Sequence, residues 1–67
     1  MYLIINNERK TFTEEALMLG VLLSKLGMEN MSVAVAVNGK LVPEVERKTT
    51  QLCDGDNILL ITAAYGG

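Results

Sequence analysis

The sequence has no histidine, no tryptophan, one cysteine and one proline. With Cys53 alone, no disulfide closes within the chain, and no zinc-ligand spacing exists. A free thiol fits a reducing cytoplasm. The neighbours of Cys53, Leu52 and Asp54, supply no cation to activate a thiolate, so a buried or half-buried structural cysteine is expected rather than a sulfur-handling nucleophile. Aromatics are limited to Tyr2, Phe12 and Tyr65, so the core must be aliphatic. Positive charge is scarce, with six Lys and Arg against eight Asp and Glu and a net charge of −2. The only basic pairs, Arg9-Lys10 and Arg47-Lys48, are far apart and read as solvated charge, which argues against a nucleic-acid surface. No apolar run approaches the roughly 20 residues that span a bilayer. No basic segment precedes an apolar run at the N-terminus, so neither a membrane anchor nor a signal peptide is expected.

What is present is a chain of 67 residues, 49% of them apolar, which suffices for one small domain. A domain of this size buries only about 60% of its unfolded surface and must pack well. Tyr2 to Asn6 reads as a strand buried on both faces. Asn6-Asn7-Glu8 supplies turn chemistry, and Arg9 to Thr13 returns as the second arm of a hairpin, with Phe12 inward.

A helix is expected next. Thr11 and Thr13 are candidate N-caps, Thr11-Phe12-Thr13-Glu14 fits a capping box, and Glu14-Glu15 suit the positive end of a helix dipole. A strand running through Thr13 would exclude that box. Leu19, Leu22, Leu23 and Leu26 fall on one helical face, which should cover a sheet; Lys25 suits the last turn and Gly27 the stop. Opposite lie Leu17, Val21 and Met28, beside Gly20 and Ser24. Two readings of this second stripe stand: a contact surface for a partner or a second copy of the chain, or a helix that starts later and leaves Leu17 in a loop and Val21 alone on the surface.

After a polar connection, Val33 to Val37 reads as a central strand buried on both sides. Asn38-Gly39 is a hairpin signal, Lys40 to Val42 the returning strand, and Pro43 its end. Glu44 to Gln51 should cross irregularly, with a helical turn at most. Asp54-Gly55-Asp56 marks a tight turn into Ile58 to Thr62, an apolar strand expected in the middle of the sheet. The whole is α+β: a mixed sheet of about five strands with one amphipathic helix across it. It ends in Gly66-Gly67, a pair expected by chance at about 1 chain end in 200.

The order of elements resembles the β-grasp, ubiquitin-like fold, and within it the sulfur carrier family of thiamine biosynthesis. The residues that carry the resemblance are Tyr2-Leu3-Ile4-Ile5-Asn6, Leu22-Leu23 with Leu26, Ala36-Val37-Asn38-Gly39-Lys40-Leu41-Val42-Pro43, and Asp54-Gly55-Asp56-Asn57-Ile58-Leu59-Leu60 with the terminal diglycine. The small subunit of molybdopterin synthase is similar in fold, turn and diglycine. It usually places an aromatic and prolines before the tail, where this chain has Ile61-Thr62-Ala63-Ala64-Tyr65. A ubiquitin-like modifier joined to lysines is a further alternative, as is a plain interaction domain.

The resemblance implies a carrier and not an enzyme. A free carboxylate is a poor electrophile, and the chain has no phosphate-binding loop with which to use ATP. A ubiquitin-activating-type adenylating enzyme would therefore convert the Gly67 carboxylate to an acyl-adenylate with its own ATP. A cysteine desulfurase or rhodanese-type donor would supply sulfur to give a thiocarboxylate, and thiazole synthase would receive it. Gly66 and Gly67 lack Cβ and suit a narrow channel. Residues 63–67 would form a flexible tail, and Ile61, Ala63 and Tyr65, alternating along the last strand, are the docking candidates.

Overall fold

The computed structural model describes residues 1–29 and 32–62. The order is β1 (Tyr2–Ile5), β2 (Glu8–Thr11), β3 (Leu17–Met18), α1 (Leu19–Lys25), β4 (Val33–Val37), β5 (Lys40–Val42), a 3-10 turn (Glu44–Glu46), β6 (Gln51–Leu52) and β7 (Asn57–Thr62). Five strands form one sheet in the order β2-β1-β7-β4-β5, and β3 pairs with β6 in a separate two-stranded ribbon. The last strand lies in the middle, as its apolar run suggests. It runs parallel to β1 and antiparallel to β4, so the sheet is mixed.

Both hairpins follow from their turn residues. Asn6 and Asn7 adopt φ of 50° and 69°, and Asn38 and Gly39 adopt 52° and 83°. These are two-residue turns with positive φ at both centres, which match the twist of the flanking strands. The β1–β2 turn also joins β1 to β7. The Asn6 side chain accepts from the Leu60 N–H through Oδ1 and donates to the Leu60 carbonyl through Nδ2. At the other end of β1, the Asp54-Gly55-Asp56 turn closes on Tyr2. The Tyr2 N–H donates to the Asp54 carboxylate at 2.7 Å, and the Gly55 N–H donates to the Tyr2 carbonyl at 2.8 Å. Gly55 has φ of 85°, and a Cβ there would meet the Tyr2 hydroxyl at 3.2 Å, so both backbone and space favour glycine.

The helix is shorter than the sequence suggests. The strand β2 runs through Thr11, and the Phe12 N–H donates to the Met1 carbonyl, which excludes the Thr11 capping box. No side chain caps α1. Its first N–H groups instead find carbonyls of the crossing segment: Leu19 N–H donates to Thr50 and Gly20 N–H to Arg47. Glu14 lies before the helix and meets Lys25 of its last turn as an ion pair. Seven residues form no stable helix alone. Packing holds this one: Leu19 and Leu22 have no exposed surface, Leu23 is buried, and Leu26 packs against the same cluster. Burial of each such leucine contributes roughly 1.5–3 kcal/mol. The C-terminus closes as expected, with Gly27 at φ of 72°, its N–H on the Ser24 carbonyl and the Met28 N–H on the Leu23 carbonyl.

One helix covers one face. The core consists of Leu3, Ile5, Leu17, Leu19, Leu22, Leu23, Val33, Val35, Leu52, Ile58 and Leu60. Along β4 and β7 these residues alternate with exposed ones, Ala34, Leu59 and Ile61 among them. The strands at 2–6 and 33–37 are therefore not buried on both sides, because no second layer stands behind the sheet among the described residues. Tyr2 and Ile4 are half-buried on that outer side, where the Arg9 guanidinium lies 4.0 Å from the centre of the Tyr2 ring.

The Glu14 carboxyl sits below its ordinary pKa of 4.5. The hydrogen bond from Lys25 is the largest cause, followed by a backbone hydrogen bond at Glu14. A lowered carboxyl stabilises the fold above its unfolded pKa and loses that contribution as pH falls through the folded value. In an NMR titration of side-chain carboxyls, Glu14 should titrate below 4.5. Lys25→Met should move it back toward 4.5. An unmoved Glu14 would assign the shift to the backbone alone.

Candidate functional site

The second apolar stripe proposed for the helix does not exist as a surface. Leu17 precedes α1, pairs with Leu52 and is buried in the core. Met28 follows the helix and packs against the same core. Only Val21 remains exposed, beside Met18 at the edge of a groove of about 500 Å³ between α1 and the crossing segment. The later helix start leaves Val21 on the surface, but it places Leu17 in a paired strand instead of a loop. The helix face offers no stripe on which a second copy would dock.

Cys53 is a correction of another kind. It is exposed, not buried, and sits at the start of the turn after β6. Its N–H donates to the Asp56 carboxylate at 2.7 Å, and its carbonyl accepts from the Asp56 N–H at 3.0 Å, so its backbone shapes the turn while the side chain faces out. The sequence offered no period by which to place it, since a two-residue strand precedes it and a turn follows. Among the described residues, no group of three or more His, Cys, Asp or Glu side chains is placed to hold a metal. No helix is long and apolar enough to cross a membrane.

What the structure brings together lies on the uncovered side of the sheet. Ile61, a docking candidate from the sequence, is 55% exposed, and Leu59 on the same face is 46% exposed. Ala34 lies opposite Ile61, Ala36 opposite Leu59, and Leu41 of β5 opposite Ala36. Alternate residues of a strand share a face, so these form one apolar surface across three adjacent strands, with small alanines between the larger side chains. Ile61 is thus surface and not core packing. Leu59 and Leu41 had escaped the sequence reading; the alternation of β7 would have shown Leu59 had its apolar run been read as half-exposed. Ala63, Tyr65, Gly66 and Gly67 lie outside the described residues. The body holds the strand from which they continue at several points: Ile4 N–H on Asp56 carbonyl, Asn6 N–H on Ile58 carbonyl, Asn38 N–H on Asn57 carbonyl, and Asn57 N–H on the Asn38 side chain.

The described part is therefore a one-helix, mixed-sheet body of β-grasp architecture, with an apolar outer face that adjoins the strand leading to the diglycine. Comparison with known proteins agrees. The profile of the ThiS family matches residues 3–67, and the chain belongs to that family. It is similar to the crystal structure of the thiamine biosynthesis protein ThiS of Geobacter metallireducens, with 29% identity, full coverage of both chains and a TM-score of 0.87. It is also similar to an NMR solution structure of a thiamine biosynthesis protein of that organism, with 29% identity, all of this chain and 88% of the other covered, and a TM-score of 0.84. No curated protein matches the sequence.

The exposed Cys53 carries a direct test. Its thiol should react with a maleimide in the native protein to one label per chain, at a rate within about tenfold of that in denaturant, because no opening of the fold is needed. Labelling that requires denaturant would place the thiol inside.

Proposed function

We propose that the chain is a sulfur carrier for the thiazole of thiamine, and that Gly67 is its reactive residue. The observation that carries this reading is the family match over residues 3–67, which includes the diglycine, on a body that offers no metal-binding cluster among its described residues. The thiamine branch is favoured over the molybdopterin branch by the two similar structures, a crystal and an NMR structure of the same thiamine biosynthesis protein.

The chemistry runs on the terminal carboxylate. A partner of the ubiquitin-activating type transfers AMP from its ATP to the Gly67 carboxylate, with release of pyrophosphate. The terminal sulfur of a persulfide, from a cysteine desulfurase or rhodanese-type donor, attacks the acyl carbon, and AMP leaves. A thiol then attacks the donor cysteine's sulfur and forms a disulfide with it; the sulfur–sulfur bond to the acyl group breaks, its electron pair stays on the acyl-bound sulfur, and Gly67 keeps that sulfur as a thiocarboxylate for thiazole synthase. The chain itself contributes position. Gly66 and Gly67 have no side chain to block a narrow channel. The apolar outer face of Ile61, Leu59 and Leu41 gives the partner a hold, and Ala63 and Tyr65 are the further docking candidates in the sequence that follows. Holding the body converts a rare encounter of the terminus into a local one. No cofactor is bound by the carrier in this reading.

Mass spectrometry after incubation with the adenylating enzyme, ATP and a persulfide donor should show one oxygen replaced by sulfur, in the C-terminal fragment. Deletion of Gly67 should abolish the change, and a truncated chain that still gained sulfur would sink the proposal. For the outer face, Ile61→Asp and Leu59→Asp should raise the KM for adenylation at least about tenfold while kcat changes little, since a charge replaces an apolar contact away from the reacting atoms. Unchanged KM in both variants would remove this face from the docking surface.

A further inference from the structure

The carbonyl of Val33 has no strand to bond to. Val33, Val35 and Val37 of β4 stand opposite Thr62, Leu60 and Ile58 of β7, and the same register continues to Asn38 and Asn57. There the Asn38 N–H donates to the Asn57 carbonyl. Hydrogen-bonded and non-bonded pairs alternate along an antiparallel ladder. Ala34 and Ala36 therefore bond toward β7, and Val33, Val35 and Val37 turn their backbone groups toward β5. The strand β5 ends at Val42, opposite Val35, so no strand residue stands opposite Val33 on that side. The Val33 carbonyl, on a residue only 8% exposed, thus faces a place that β5 has already left. A buried carbonyl without a donor is costly. Arg47 fills the place: its Nη2 donates to the Val33 oxygen from fourteen residues downstream.

Arg47 is also fixed at its own backbone. Its N–H donates to the Glu44 carbonyl at 3.2 Å, and its carbonyl accepts from the Gly20 N–H at 2.9 Å. One residue joins the crossing segment, the start of α1 and the first residue of β4. That first residue faces Thr62, the last residue of β7, beyond which the chain continues to its diglycine.

We propose that Arg47 is a positioning residue for the reactive end. By supplying the missing donor to Val33 it holds the terminal pairs of the β4–β7 ladder closed, so Thr62, from which the sequence continues to the diglycine, is held at a fixed point. The clamp stands on the hydrogen bonds alone; what it delivers the terminus to rests on the carrier reading.

Backbone amide exchange followed by NMR tests the clamp, with Arg47→Met as the variant. Loss of the donor should speed exchange of Ala34 and Ile61, the outermost hydrogen-bonded pair, about tenfold relative to Ala36 and Leu59 of the same ladder. Arg47→Lys, which keeps a donor, should recover most of that protection. Leu52→Ala, a core change remote from the ladder end, should speed all four together. With the adenylating enzyme and ATP, Arg47→Met should lower kcat about tenfold with KM near that of the parent, as expected when the terminus is delivered less accurately from an intact docking face. Leu52→Ala, assayed where it is fully folded, should keep its kcat. Equal acceleration across the ladder in Arg47→Met, or a local acceleration with kcat unchanged, overturns the proposal. If Arg47→Met does not fold, Arg47→Gln, whose shorter side chain does not reach the Val33 carbonyl, gives the same comparison, and no local difference there overturns the proposal as well. If the parent itself is not adenylated, the carrier reading falls, and the exchange pattern still decides the clamp.

Discussion

A single helix of seven residues has to close one face of a five-stranded sheet, and little else is available to do it. Leu19, Leu22 and Leu23 supply its part of the core, and Leu3, Ile5, Val33, Val35, Ile58 and Leu60 of β1, β4 and β7 belong to the same cluster. Like any helix it cannot satisfy its own first N–H groups, and with no side-chain cap it takes carbonyls from Thr50 and Arg47. That dependence fixes where the crossing segment runs. It also explains the β3–β6 ribbon, which places Leu17 and Leu52 in the core beneath the start of the helix. The crossing is thus part of the core's closure, although Glu44, Val45 and Glu46 of its 3-10 turn are all exposed.

The same economy leaves the second face bare. A sheet covered once must keep its outer residues either polar or useful, and here they are apolar: Leu41, Leu59 and Ile61, with Ala34 and Ala36 between them. Exposed apolar surface that is contiguous, and lies on the strand leading to the terminus, suits transient contact with larger proteins. A body built in this way separates labour. The inward face supplies stability, and the outward face, among the described residues, is left open to contact.

Much of this was legible in the residues. Asn6-Asn7 and Asn38-Gly39 gave their turns because positive φ is demanded locally and few residues accept it. Asp54-Gly55-Asp56 gave the third for the same reason, and Gly27 the end of the helix. The apolar run at 58–62 marked the central strand. What failed did so where tertiary contacts overrode local signals. Thr11, Thr13 and Glu14 look like a helix start, but strand pairing claims Thr11 and Lys25 claims Glu14. Leu17 and Met28 fit a helical period with Val21 only because the period was extended past both true ends of the helix. Continuous apolar runs in β1, β4 and β7 suggested burial on both sides, since a strand kept apolar for a partner looks the same in sequence as one kept apolar for a core. The two-residue strands carry too few residues to show any period, which is also why the exposure of Cys53 was missed. The docking candidates divide likewise: Ile61 is on the surface expected of it, and Ala63 and Tyr65 lie past the described residues.

The strand that finishes the sheet is also the strand at its centre. Its pairing with β1 joins Ile4 and Ile5 to Asn57 and Ile58, and its flanking hydrogen bonds join Tyr2 to Asp54 and Asn6 to Leu60. Such contacts span most of the chain, and making them costs the closure of a long loop. Until β7 has been made, the β1–β2 and β4–β5 hairpins have no strand to join them into one sheet. A chain stopped before its last strand keeps two unjoined hairpins and has neither Leu59 nor Ile61, so completing the chain through that strand and completing the sheet are one event.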